Sequence, residues 1–162
     1  RWPLLLYLHH DSSILTNVFC SQILCVENVV SYISENFTSW AWDMSHDTNR
    51  TLLYDIVTQK CGSGVADTVR AFLAAQYPLM VVIMKNRSSL EVSAVIQGHS
   101  TLNEVMTTLL NAREVFEQSR SVDIRDEVFK VFEKSLNCVK KRRKSLKVFK
   151  FFGECLIIRF PS

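Results

Sequence analysis

The passage Leu4–Cys25, LLLYLHHDSSILTNVFCSQILC, constrains this chain more than any other. Its first five residues, Leu4–Leu8, are an unbroken apolar run of the kind that suits a strand buried on both faces. A polar turn follows, in which Asp11, Ser12 and Ser13 can accept hydrogen bonds from the open amides of a helix start. Beyond it, Leu15, Phe19, Ile23, Val26, Val30 and Ile33 recur at steps of four and three. That spacing predicts one core-facing stripe on a single helix ending near Asn36.

The next segments continue the alternation of strand and helix. FTSWAWD, residues 37–43, is rich in aromatics and predicts a second strand. Two strands joined by a helix of this length form a right-handed parallel crossover. A helix starting at Ser45 or Asp47 turns Leu53, Ile56 and Val57 inward and closes at Gly62, where glycine accepts a left-handed cap. Val65–Ala74 predicts another helix, with Val69, Phe72 and Leu73 as its apolar positions. Pro78 then opens the strongest strand, Leu79–Met84, because proline is tolerated at a strand's first residue. KNRSS, residues 85–89, reads as a hairpin turn into Leu90–Gln97, where Val92, Ala94 and Ile96 share one side. Thr101 and Glu104 form a capping box for a helix lined by Leu102, Val105, Met106, Leu109, Leu110 and Phe116.

This order defines an α/β fold of thioredoxin-like topology, a central mixed sheet of about four strands flanked by helices. A chain of 162 residues, 48% hydrophobic, supports one such domain with its own core. In thioredoxin-type proteins the first strand–helix junction carries a Cys-x-x-Cys pair, and here the turn holds none. Cys20 and Cys25 lie inside the predicted helix, about 140° apart around its axis, and cannot close a disulfide there. Neither is in the first turn, where the helix dipole lowers a thiol pKa. Both are expected to pack as small hydrophobes. Five cysteines without metal-ligand spacing suggest reduced thiols in cytosol or nucleus. The sequons at Asn36, Asn49 and Asn86 are expected to go unused. No apolar run approaches the roughly 18 residues of a membrane-spanning helix. With Arg at position 1 and no leader pattern, the chain reads as a fragment.

The stretches YLHHDSSILTNVFCSQILC, WAWD, YPLMVVIMKNRSS and EVSAVIQG, in this order across residues 4–118, resemble the UAS domain of the Fas-associated factor family, whose members carry a UBX domain. The resemblance implies a thioredoxin-like adaptor without redox activity or cofactor, acting in ubiquitin-dependent degradation with the p97 AAA ATPase. It also implies binding of long-chain unsaturated fatty acids with homo-oligomerisation, and a cytoplasmic or nuclear location with endoplasmic-reticulum association. The family's domain begins upstream of Leu4. Past about Glu127 this chain departs from the family pattern, and it contains no UBX module. The expected organisation is a UAS domain over 1–118, a helical extension over 119–138 and a basic tail over 139–162.

Several residues are candidates for chemistry. His9 and His10 end the first strand, but neighbours on a strand point to opposite faces and do not readily share a metal. Turn hydrogen bonding is the expected role. The resemblance implies a cis bond at Pro78. Trp40 and Trp42 share a face, and with Phe37 could line an apolar crevice. A fatty acid needs such a groove and a cation for its carboxylate, for which Lys85 and Arg87 are the candidate pair. The charge is divided: residues 1–138 hold 11 Lys and Arg against 15 Asp and Glu, residues 139–162 hold 8 against 1. Lys140, Lys141, Arg142, Arg143 and Lys144 in that tail suit nuclear import or an anionic surface, with no specific nucleic acid expected. A thiol oxidoreductase using Cys20 or Cys25, or a basic-tail nucleic-acid or membrane binder, are the alternative readings.

Overall fold

A computed structural model describes residues 2–86, 89–119 and 132–134. The elements are β1 (Leu4–His9), α1 (Leu15–Phe19), α2 (Glu27–Asn36), β2 (Thr38–Asp43), α3 (Asp47–Cys61), α4 (Ser63–Arg70), β3 (Leu79–Asn86), β4 (Ser89–Gln97) and α5 (Leu102–Gln118). The sheet order is β2-β1-β3-β4, with β1 parallel to β2 and antiparallel to β3, and β3 antiparallel to β4. This is the expected mixed sheet, with helices on both faces.

β1 explains the layering. Leu5 and Tyr7 point into a core shared with α1, α2 and α5, whereas Leu4, Leu6 and Leu8 point into a second core under α3 and α4. Both faces exclude water, so an unbroken apolar run was required. β3 repeats the pattern, with Met80, Val82 and Met84 on the first face and Leu79, Val81 and Ile83 on the second. The capping box at Thr101 is present, and its backbone amide, then its hydroxyl, hold the Glu104 carboxyl below its usual pKa.

Four local expectations are corrected. The first helix is not continuous: Cys20–Leu24 forms a π-helical turn, Val26 is extended, and α2 restarts at Glu27. The wider ring changes the facing of the residues in and after it, so Leu24 and Val29 are buried; Leu15, ahead of it, is half-buried. The segment after α3 is helical only to Arg70, and Leu73 is exposed. In β4, Val92 faces the α3/α4 core while Ala94 and Ile96 face the other. The ladder pairs Val82 with Ala94 but Ile83 with Val92, so Ser93 is an extra residue that switches faces. Leu102 and Leu110 of α5 are exposed rather than inward.

Of the expected extension over 119–138, only Ser119 and the helical residues 132–134 are described. Among the described residues, no helix is long and apolar enough to cross a membrane.

Candidate functional site: the strand–helix junction

The site is the corner where β1 gives way to α1. His9 donates from Nε2 to Asp11 Oδ1 at 2.8 Å, and the Asp11 amide donates to Ser45 Oγ at 2.9 Å. The turn is closed by the Ser13 amide on the His10 carbonyl at 3.1 Å. The Thr16 hydroxyl also donates to that carbonyl, at 2.9 Å. Both histidines therefore engage in the turn hydrogen bonding expected of them.

Ser13 makes the longest-range hydrogen bond of the corner. Its hydroxyl donates to the carbonyl of Tyr77 at 2.6 Å, where the Tyr77–Pro78 bond is cis as the resemblance implied. The Tyr77 amide donates to Ala74, and the preceding carbonyl, of Gln76, accepts from Gly98. Both main-chain groups of Tyr77 are thus satisfied from within the chain, leaving little there to grip a partner's backbone.

Ser13 and Thr16 are separated by two residues, the spacing of a Cys-x-x-Cys pair, and both are buried at the helix start. Each hydroxyl is committed to a carbonyl, and oxygen in place of sulfur allows no disulfide exchange. Cys20 is also buried, at the head of the π-helical turn, with its sulfur 3.2 Å from the Tyr7 hydroxyl. Burial, then the adjacent Cys20, raises the Tyr7 pKa. Cys25 is exposed, which corrects the expectation that it packs inward. Burial pushes the Cys61 thiol up to about 12.

A second set of contacts joins His10 to Ser12 and Arg50. His10 Nδ1 lies 2.9 Å from Ser12 Oγ, while Nε2 faces Arg50 Nη1 at 3.4 Å. The Ser12 amide donates to Nδ1 at 3.3 Å and a guanidinium can only donate, so both ring nitrogens face donors. Tyr77 packs edge-on to His10, with ring centroids 5.4 Å apart. Burial, followed by the Arg50 charge, lowers the His10 pKa, against smaller raising effects from Asp43 and Asp11.

That shift carries a pH prediction. The unfolded chain takes up a proton near the ordinary imidazole pKa of 6.5, whereas folded His10 resists until lower pH. Stability from this residue is intact above pH 6.5 and declines as pH falls through that value. Urea midpoints compared between about pH 8 and about pH 5 should fall more for the parent than for His10→Gln. Parallel declines would show that His10 does not carry the effect.

The other candidates lie elsewhere. Trp40 and Trp42 face the α3/α4 core, with the Trp42 indole donating to the Asn49 carbonyl at 3.0 Å. Phe37 belongs to the opposite core, so the three do not line one crevice; the step from 37 to 40 is odd, and odd steps change face. Lys85 is half-buried near the hairpin end of β3, opposite Leu90 and at the far end of the sheet from the junction. Arg87 and the basic set Lys140, Lys141, Arg142, Arg143 and Lys144 lie outside the described residues. Asn49 is buried, and the Asn36 side-chain amide donates to the Tyr32 carbonyl and accepts from Arg113. Among the described residues, no three His, Cys, Asp or Glu side chains are grouped to hold a metal.

From the sequence Ser13 reads only as a helix cap, and Thr16, Arg50 and Gly98 are not singled out. The Ser-x-x-Thr spacing was the available signal for the first two positions. Arg50 and Gly98 reach the corner only through tertiary folding.

The fold and corner together define a thioredoxin-like domain whose junction lacks the redox cysteine pair. A thioredoxin from Thermus thermophilus superposes with a TM-score of 0.51 at 13% identity, covering 68% of this chain and 72% of that one. The sequence model of the family described as Fas-associated factor 1 matches residues 1–111, and the chain belongs to that family. It is 50% identical over 127 residues to the FAS-associated factor 1 proteins of Mus musculus and Homo sapiens, across 78% of this chain and 20% of each of theirs. It is 35% identical over 115 residues to UBX domain-containing protein 3 of Caenorhabditis elegans, across 68% of this chain and 19% of that protein. The chain therefore spans about a fifth of the length of these relatives.

Proposed function

We propose that this chain is a non-catalytic interaction domain of a Fas-associated factor-like UBX protein, working in ubiquitin-dependent degradation. The observation that carries the reading is the junction itself, where Ser13 and Thr16 hold the Cys-x-x-Cys spacing and spend their hydroxyls on internal carbonyls. Family membership supports an adaptor role in general. Recognition is by surface: Ile14, beside Ser13, is 89% exposed, and Leu73 is 73% exposed. Apolar side chains held so far into water suit contact with a protein partner.

The finer reading assigns residues 1–118 as the interaction domain, 119–138 as a helical extension and 139–162 as a basic tail. Its partners are proteins of the ubiquitin and p97 pathway reached through the full-length product, in the cytoplasm, nucleus or at the endoplasmic reticulum. It includes binding of long-chain unsaturated fatty acids with homo-oligomerisation, and Lys85 with Arg87 as the carboxylate contact.

An insulin-reduction assay coupled to thioredoxin reductase tests the non-catalytic core of this proposal, and no turnover above buffer is expected. Turnover that Cys20→Ser abolishes would overturn it. For the lipid, sedimentation velocity with oleate should show larger species than with stearate, and Lys85→Glu should weaken the response. Identical profiles with and without oleate would remove the fatty acid while leaving the adaptor reading intact.

A further inference from the structure

Phe132 lies beyond the residues that the family model matches. Phe132 is only 3% exposed and packs edge-on against Trp40, with ring centroids 5.7 Å apart and planes at 70°. Residues 132–134 are helical, and burial falls from Phe132 through a half-buried Glu133 to an exposed Lys134. The short helical piece therefore presents its one aromatic to the sheet.

Trp40 lies on β2, which ends the sheet order and has a strand neighbour on one side only among the described residues. It pairs with Leu6 of β1 and belongs to the core formed with Leu4, Leu6 and Trp42. An indole on a terminal strand is where such a core is most open to water. Yet Trp40 is only 9% exposed. The edge-on geometry sets the positive rim of one ring toward the negative face of the other, so the pairing favours an aromatic over an aliphatic of equal area.

We propose that Trp40 is the floor of a receptor for one aromatic side chain on the α3/α4 face of the sheet, filled in this chain by its own Phe132. The family model ends at residue 111, so the ligand comes from chain beyond it, whereas the receptor lies within it. Residues 132–134 thereby join the folded unit through Phe132. This receptor is separate from the strand–helix corner, which lies past the end of β2.

The full chain in a Trp2→Phe background, which removes one exposed indole, provides the test. Phe132→Ala should shift tryptophan emission to the red and speed exchange of the β2 amides bonded to β1 by at least about tenfold. Phe132→Leu should give an intermediate change. The red shift should vanish when Trp40 is also replaced, by Trp40→Phe. A synthetic peptide of residues 127–137, added in excess to Phe132→Ala, should restore the emission, whereas the same peptide carrying Phe132→Ala should not. Rescue separates a filled receptor from loss of a core residue in general. Unchanged emission in Phe132→Ala, or failure of the intact peptide to restore it, would overturn the proposal.

Discussion

Phe19→Ala is expected to lower the unfolding free energy by about 3–5 kcal/mol, a large fraction of the about 5–15 kcal/mol typical of a folded domain. Phe19 is the last residue of α1 and is only 1% exposed. It belongs to the core with Leu5, Tyr7, Met80 and Val82 from the two central strands. Removing its ring withdraws apolar surface from that core and leaves a void, because the sheet behind it is pinned by β1–β3 pairing and cannot collapse inward. Val18, one residue earlier and 48% exposed, is the internal control, and Val18→Ala should stay within about 0.5 kcal/mol. Urea unfolding of both variants decides the matter, with an unchanged denaturant slope confirming that the native state has kept its extent. A loss below about 1 kcal/mol for Phe19→Ala would mean that α1 and its π-helical turn are only loosely docked.

The same helix shows what the sequence could and could not reveal. Phe19 and Ile23 are four apart and both are buried, so an α-helical period finds them correctly. The next step fails because Cys20–Leu24 takes a wider turn and the helix breaks at Val26, with neither glycine nor proline there to announce it. Leu24 and Val29 then become core residues that a regular helix would have turned away. In β4 the cause is similar: Ser93 adds one residue to a period of two, and a bulge at a serine has no compositional mark. β1 was legible because burial on both faces leaves no choice of residue at any position. The corner was half legible. Absence of the cysteine pair is plain in the text, but the partner of Ser13 is Tyr77, 64 residues on, and the His10–Arg50 approach spans 40. Such contacts arise from topology and leave no local pattern.

The tightest point of that corner is Gly98, and Gly98→Ala is expected to cost about 3 kcal/mol. A Cβ there would stand 2.6 Å from Pro78 Cδ, 2.6 Å from the Tyr77 carbonyl oxygen and 2.9 Å from the Pro78 nitrogen. Two of the three atoms are backbone, so no side-chain rotation relieves the contact. Retreat is also blocked, because the Gly98 amide is bonded to the Gln76 carbonyl at 3.1 Å. The segment 76–78 must therefore shift, and the oxygen pressed hardest is the one that accepts the Ser13 hydroxyl. Loss of that bond leaves a buried hydroxyl without its acceptor, which adds about 1–3 kcal/mol in general and is included in the total. This gives the mutation a signature beyond destabilisation. In a cycle with Ser13→Ala, the double variant should lose about 1 kcal/mol less than the two single losses combined, since the bond can be broken only once. Strict additivity would mean that the added methyl is absorbed on the Gly98 side, with the Ser13–Tyr77 contact intact.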